Sequence, residues 1–202
     1  MLFAILLIVL IVFLTAFIAF FVYIRKMSFS TFRRLCEKKI TRISKRKDLL
    51  YLGDVCIANY EGEQLLVNHV VFGKKYIYLI SDFILRGFVS GDAKSNSWLY
   101  YDTNKRNNLY LDNLDMIADK NIRDFAGILQ ISPDPIVNIC LVPNECDFKI
   151  ENTSRDNKVI VHYSSLNRAI SKLENKDIGS LNQNQIQEQY KLIKNKNEER
   201  NR

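Results

Sequence analysis

Histidine and paired cysteine are scarce in this chain of 202 residues. His69 and His162 are its two histidines, and Cys36, Cys56, Cys140 and Cys146 form no C-x-x-C pair. A zinc site needs clustered ligands, so this spacing argues against one. In a reducing cytosol the four thiols read as buried or idle. Also absent are the glycine-rich phosphate loops G-x-x-x-x-G-K-[ST] and G-x-G-x-x-G, the G-x-S-x-G nucleophile turn and the H-E-x-x-H zinc helix, which leaves no familiar cofactor motif. No internal repeat occurs. The most consequential absence is of charge: residues 1–24 carry none.

As a helix, these 24 uncharged and largely apolar residues span about 36 Å, enough to cross a hydrocarbon core of about 30 Å. A cleavable signal peptide would need a basic start, a shorter apolar run and small residues at its end. This run has no basic start and closes on Phe20, Phe21, Val22, Tyr23 and Ile24, so it reads as a retained transmembrane anchor. Ten cations follow at once: Arg25, Lys26, Arg33, Arg34, Lys38, Lys39, Arg42, Lys45, Arg46 and Lys47. With Glu37 and Asp48 they give 25–48 a net charge of +8, leaving −1 on 49–202. Positive charge after the span and none before it predicts a cell-membrane protein with a short outer N-terminus and a cytoplasmic C-terminal domain. The cations read first as topogenic and as contacts to anionic lipid headgroups. Phosphates of a nucleic acid, or a protein partner, are the other readings.

The expected organisation is a transmembrane helix over 1–24, a basic juxtamembrane helix over 25–48, an α/β domain over 49–174 and a polar tail, disordered or a frayed helix, over 175–202. In the juxtamembrane helix Phe32, Leu35, Cys36, Ile40 and Ile43 fall on one stripe. Strands are expected at 49–59, 64–72 and 76–83, the last two joined across Gly73-Lys74-Lys75 as a hairpin. Short strands are expected around Phe88–Val89 and 98–101. A helix over 112–130 stops before Pro133 and Pro135. Strands at 136–142 and 158–162 and a helix carrying Leu166, Ala169, Ile170 and Leu173 complete an α/β arrangement with a small mixed sheet. The 136–142 strand is expected parallel to, and beside, the third strand of the meander.

The runs Val67-Asn68-His69-Val70-Val71-Phe72, Tyr76-Ile77-Tyr78-Leu79-Ile80-Ser81-Asp82-Phe83 and Gly87-Phe88-Val89-Ser90-Gly91, followed by Trp98, resemble the core of the nuclease-related domain called NERD. Asn138 to Val142 with Asn144, then Val159, Ile160 and the Leu166 helix, are similar to its later segments. The resemblance covers roughly 30–173. It implies a restriction-endonuclease-like fold of the PD-(D/E)XK class, and for an active member Mg²⁺ held by two carboxylates with a nearby lysine. Position by position, the resemblance puts Asn68, Ser81 and Phe83 where the family has Asp, Glu and Lys. A shift of one residue recovers a carboxylate at Asp82 but no lysine, and moves it to the other strand face.

Asp82 is therefore the one candidate metal ligand, and Asn68, Ser81 and Asp82 are the candidate catalytic positions. Asp82 also has a structural reading, as a polar residue where the strand leaves the core, and Asn68 with His69 has one as a strand-end hydrogen-bonding pair. Lys74 and Lys75 are displaced cations or simply a solvated turn. Trp98, Tyr100 and Tyr101 stack on bases or pack within a sheet. The function expected is a membrane-anchored, catalytically inactive NERD-like domain that binds nucleic acid or a protein partner, without a small-molecule cofactor. The alternatives are an interaction protein with no nucleic-acid role and an active Mg²⁺-dependent nuclease with relocated ligands.

Overall fold

The computed structural model describes residues 11–15, 17, 29–59, 62–103, 106–152, 157–176 and 179–200. The chain divides into two compact units, 1–35 and 36–202. In the first, residues 11–15 and 17 are helical and exposed, and Thr15 Oγ1 donates to the carbonyls of Ile11 and Val12. Among the described residues no helix is long and apolar enough to cross a membrane. Most of the expected 1–24 anchor, together with Arg25 and Lys26, lies outside the described residues.

Helix α1, Phe29–Lys47, leads into the second unit. Cys36, Ile40 and Ile43 are buried along it, whereas Leu35, expected on the same stripe, is exposed. The helix ends by a left-handed turn at Asp48 (φ 56°), with the Leu49 amide reaching back to the Ser44 carbonyl. This 6→1 closure satisfies a carbonyl that would otherwise be orphaned, and Lys45, Arg46 and Lys47 complement the negative end of the helix dipole.

The strands are β1 (Leu50–Ala58), β2 (Gln64–Phe72), β3 (Ile77–Asp82), β4 (Gly87–Asp92), β5 (Ser97–Asp102), β6 (Asn107–Asp112), β7 (Ile136–Val142), β8 (Cys146–Glu151) and β9 (Lys158–His162). They make two mixed sheets, in the orders β1-β2-β3-β7-β9 and β6-β5-β4-β8. The chain is thus α/β, and the meander extended by a parallel β7 is as expected: Ile77 pairs Ile136 and Asp82 pairs Leu141. The second sheet goes beyond the expectation, which had neither β6 nor β8. Segments β3–β4 and β7–β8 run side by side through both sheets, parallel in each. Phe83 N–H to Leu141 C=O and Gly87 N–H to Glu145 C=O continue the ladder where they cross over.

Three helices pack on this frame: α2 (Leu114–Leu129), α3 (Leu166–Glu174) and α4 (Gln183–Arg200). Asn113 caps α2, its Oδ1 accepting from the Asp115 and Met116 amides, while its Nδ2 donates to Ala93 and Ser95 in the β4–β5 turn. One side chain therefore starts a helix and anchors it to the second sheet. At the other end Gln130 takes the left-handed conformation that closes α2 ahead of Pro133 and Pro135. Helix α4 corrects the reading of 175–202 as a tail. Ile186 and Ile193 enter the main core with Val55, Val67, Leu79 and Phe125, and Tyr190 meets the Phe72 ring edge-on at 5.4 Å. The Asn197 side chain accepts from the Cys56 amide on β1 at 2.9 Å.

The Gly87 and Gly91 positions have steric causes. At Gly87, with φ 130°, a Cβ would lie 2.1 Å from the Tyr101 carbonyl; at Gly91 it would lie 2.3 Å from the Trp98 ring. Trp98 is fully buried and donates its indole N–H to the Asp92 carbonyl at 3.0 Å.

Candidate functional site

Strands β1 and β2 change face together. Leu50 and Leu52, then Val55 and Ile57, all meet the main core, although three positions separate Leu52 from Val55. On β2, Leu65 and Val67 precede Val70 and Phe72 in the same way. Alternation with period two would put one group of each on the wrong side. The left-handed Asp54 (φ 49°) absorbs the slip on β1, and the paired register passes from Gly53–His69 to Val55–Val67. At this irregularity β2 also parts from β3, its last pair being His69–Ile80. The result is that His69 lies on the face of β3 that carries Ile80 and Asp82.

There His69 and Asp82 form a buried polar cluster. The His69 Nδ1 is 2.9 Å from the Tyr51 hydroxyl, and its Nε2 is 3.6 Å from Asp82 Oδ1. His69 is 2% exposed and Asp82 5%, and Cys36, close enough to feel the Asp82 charge, is completely buried. The Asp82 oxygens and His69 Nε2 have no hydrogen-bond partner among the described residues. Burial, then the Asp82 carboxylate, push the Cys36 thiol up to about 12, opposed by Lys39. A thiol so held stays protonated near neutrality and is a poor nucleophile.

The candidate positions do not converge. Asp82 joins this cluster, but Ser81 alternates to the opposite face of β3. Asn68 is half-buried at the face change, and Phe83 packs against the second core with Leu85, Trp98 and Leu114. Lys74 and Lys75 lie beyond the opposite end of β3, at least roughly 16 Å from Asp82 at about 3.3 Å per residue. They border a cleft of about 500 Å³ with Arg46, Lys47, Asp48 and Glu174, at the carboxyl-terminal ends of α1 and α3. Cations there offset the negative ends of two helices.

Magnesium does not fit the cluster. That ion favours an octahedron of oxygens with carboxylate charge, and the donors gathered here are one carboxylate, an imidazole, a phenol and a buried thiol. No group of three or more His, Cys, Asp or Glu suited to a metal occurs among the described residues.

The juxtamembrane cations divide by role. In the second unit Lys38, Arg42, Lys45 and Arg46 are exposed on α1, spaced so that the first three fall within one side of the helix. Lys39 instead donates to the Tyr163 carbonyl and lies 4.0 Å above that ring, and Lys47 donates to Ser171 Oγ at 2.7 Å. Partial burial lowers the Lys39 pKa. In the first unit Arg34 is exposed and Arg33 half-buried. The aromatic trio also divides: Trp98 and Tyr100 are buried, while Tyr101 faces outward.

Tyr51 beside His69 and Cys36 within reach of the Asp82 charge were not foreseen. Two polar residues interrupting apolar strands were the available signal, since the hairpin register sets His69 two positions from Asp82. Comparison with protein-family models, with curated proteins and with solved structures finds no match to this chain.

Proposed function

We propose that this chain is a single-pass membrane protein whose cytoplasmic α/β domain, NERD-like and of restriction-endonuclease-like class, binds a partner and does not cleave nucleic acid. The observation that carries this reading is the burial of Asp82. The one carboxylate recovered from the nuclease pattern lies against His69, close enough for its charge to act on the buried Cys36, with Phe83 committed to a hydrophobic core. A phosphodiester cannot reach it without opening the packing around α1. The exposed cations Lys38, Arg42, Lys45 and Arg46 follow the apolar 1–24 run, and this placement supports contact with anionic headgroups at about 1 kcal/mol per cation near the surface.

A specific observation favours the second reading, an interaction protein without a nucleic-acid role: the charge of 49–202 is −1, whereas a nucleic-acid-binding domain is usually basic. Fluorescence anisotropy separates the two. The full chain in nanodiscs of neutral lipid is titrated with labelled single- and double-stranded DNA and RNA at two salt concentrations. Binding that weakens steeply with salt supports the nucleic-acid arm. Its absence at low salt sinks that arm and leaves a protein partner. Membrane placement is tested separately: a C-terminal reporter active only outside the cytoplasm should stay silent, and its activity would overturn the topology.

A further inference from the structure

Three of the four sheet edges are protected. Helix α4 covers β1 and takes up the Cys56 amide through Asn197. Strand β9 is contacted by α2 and α3. Strand β8 alternates Asp147, Lys149 and Glu151 on its outer side, and charges of this kind discourage strand addition. Strand β6, Asn107–Asp112, has none of these devices among the described residues. It contains no proline and no lysine, and its one charge is at its end.

Its surroundings are apolar. The inner face of the second sheet buries Val89, Trp98 and Tyr100. On the outer face Phe88 pairs Tyr101 and Leu99 pairs Tyr110, and all four are exposed, Tyr110 at 81%. Leu109, on the inner side, is 37% exposed.

We infer that β6 is an interface at which a second copy of this chain adds antiparallel, joining two four-stranded sheets across a two-fold axis. The hydrogen-bond phase is fixed by observed bonds. The Asn113 amide donates to the Asn96 carbonyl, so residues 107, 109 and 111 bond toward β5 and the main chains of Asn108, Tyr110 and Asp112 point to the open edge. A two-fold axis perpendicular to the sheet pairs residues of the same face, so the paired numbers must have an even sum. Pairing Asn108 with Tyr110 of the second copy meets both conditions and sets Leu109 opposite Leu109. This register, unlike one centred on Tyr110, brings Arg106 of each copy to Asp112 of the other. The same strand thus supplies complementary charge at both ends, apolar contact at its middle and a site for the exposed Tyr110. A nucleic acid on this face would meet Asp147 beside Phe88, which disfavours it.

Disulfide trapping and charge exchange test this on the full chain in membranes, in a Cys56→Ser background. Facing positions in a non-hydrogen-bonded antiparallel pair lie about 4.5 Å apart at Cα, within disulfide range. L109C should therefore cross-link to its own copy on mild oxidation, with the bridge located by peptide mass mapping. R106D and D112R should each weaken dimerisation roughly fivefold, counting two exposed ion pairs per interface. The R106D/D112R double variant should recover it. Cross-linking at Y110C in preference to L109C would overturn the register. A monomeric chain, or a dimer indifferent to all three changes, would overturn the interface.

Discussion

Replacing Ile193 by alanine should destabilise the domain by about 3 kcal/mol, in the usual range for truncating a fully buried isoleucine. Ile193 is completely buried in the main core, on the α4 stripe with Ile186, Tyr190 and Asn197. For a domain of this size the loss corresponds to a fall in Tm of roughly 6–12 °C. Exposed Lys194, one position away, serves as the control, and K194A should change stability by less than about 0.5 kcal/mol. Trp98, the only tryptophan, is buried in the other core and reports global unfolding by fluorescence in urea. Amide exchange at Cys56, whose N–H is held by Asn197, reports release of α4 alone. Equal, small effects of I193A and K194A on both readouts would refute the docking of α4 and return 183–200 to a solvated tail.

Other expected outcomes follow from buried charge and from the thiols. Lys158, with its side chain 6% exposed, reaches Asp119 at 3.0 Å and Asp115 at 3.8 Å. K158A should cost about 3 kcal/mol by leaving Asp115 buried without its cation, measured by urea unfolding, and K158R should recover much of it. Cys36, Cys140 and Cys146 are each pushed up to about 12, chiefly by burial. At pH 8 roughly one in ten thousand of such thiols is ionised, so iodoacetamide should label the half-buried Cys56 first, read by peptide mass spectrometry. Faster labelling of Cys36 would contradict a closed cluster around Asp82. Asp92, held below the usual carboxylate range by the Lys94 amide and Asn152, stabilises its turn above the unfolded pKa. That contribution is lost as pH falls through the folded value, so the protection factor of the Lys94 amide, taken against its intrinsic exchange rate at each pH, should fall in acid, and D92N should remove that change.

The first sheet was legible in the sequence because β2, β3 and β7 are apolar runs broken by recognisable turns, and α2 because a helical period over 112–130 stops before Pro133 and Pro135. The second sheet was less so. Strands β5 and β6 expose Leu99, Tyr101, Leu109 and Tyr110, which blurs the alternation that marks a half-buried strand. Strand β8 also alternates, Cys146, Phe148 and Ile150 inward, but the expectation places no element between 142 and 158. Helix α4 carried its stripe inside a tract of Asn, Gln, Lys and Glu, and composition outweighed periodicity. Asp82 was visible as a carboxylate in an apolar strand. What closes it was not, because His69, braced by Tyr51, and Cys36 come to it through the joint face change of β1 and β2 and through α1, and that face change depends on the left-handed Asp54.

The central claim is that Asp82 belongs to a closed structural cluster and not to a metal-dependent nuclease centre. The direct measurement incubates the purified full chain in mild detergent with linear and circular DNA and with RNA, in Mg²⁺ or Mn²⁺, beside an Asp82→Ala variant. No metal-dependent cleavage by either protein is the expected result. Cleavage by the native chain that requires the metal and disappears with Asp82→Ala would contradict the account and establish an active nuclease with relocated ligands.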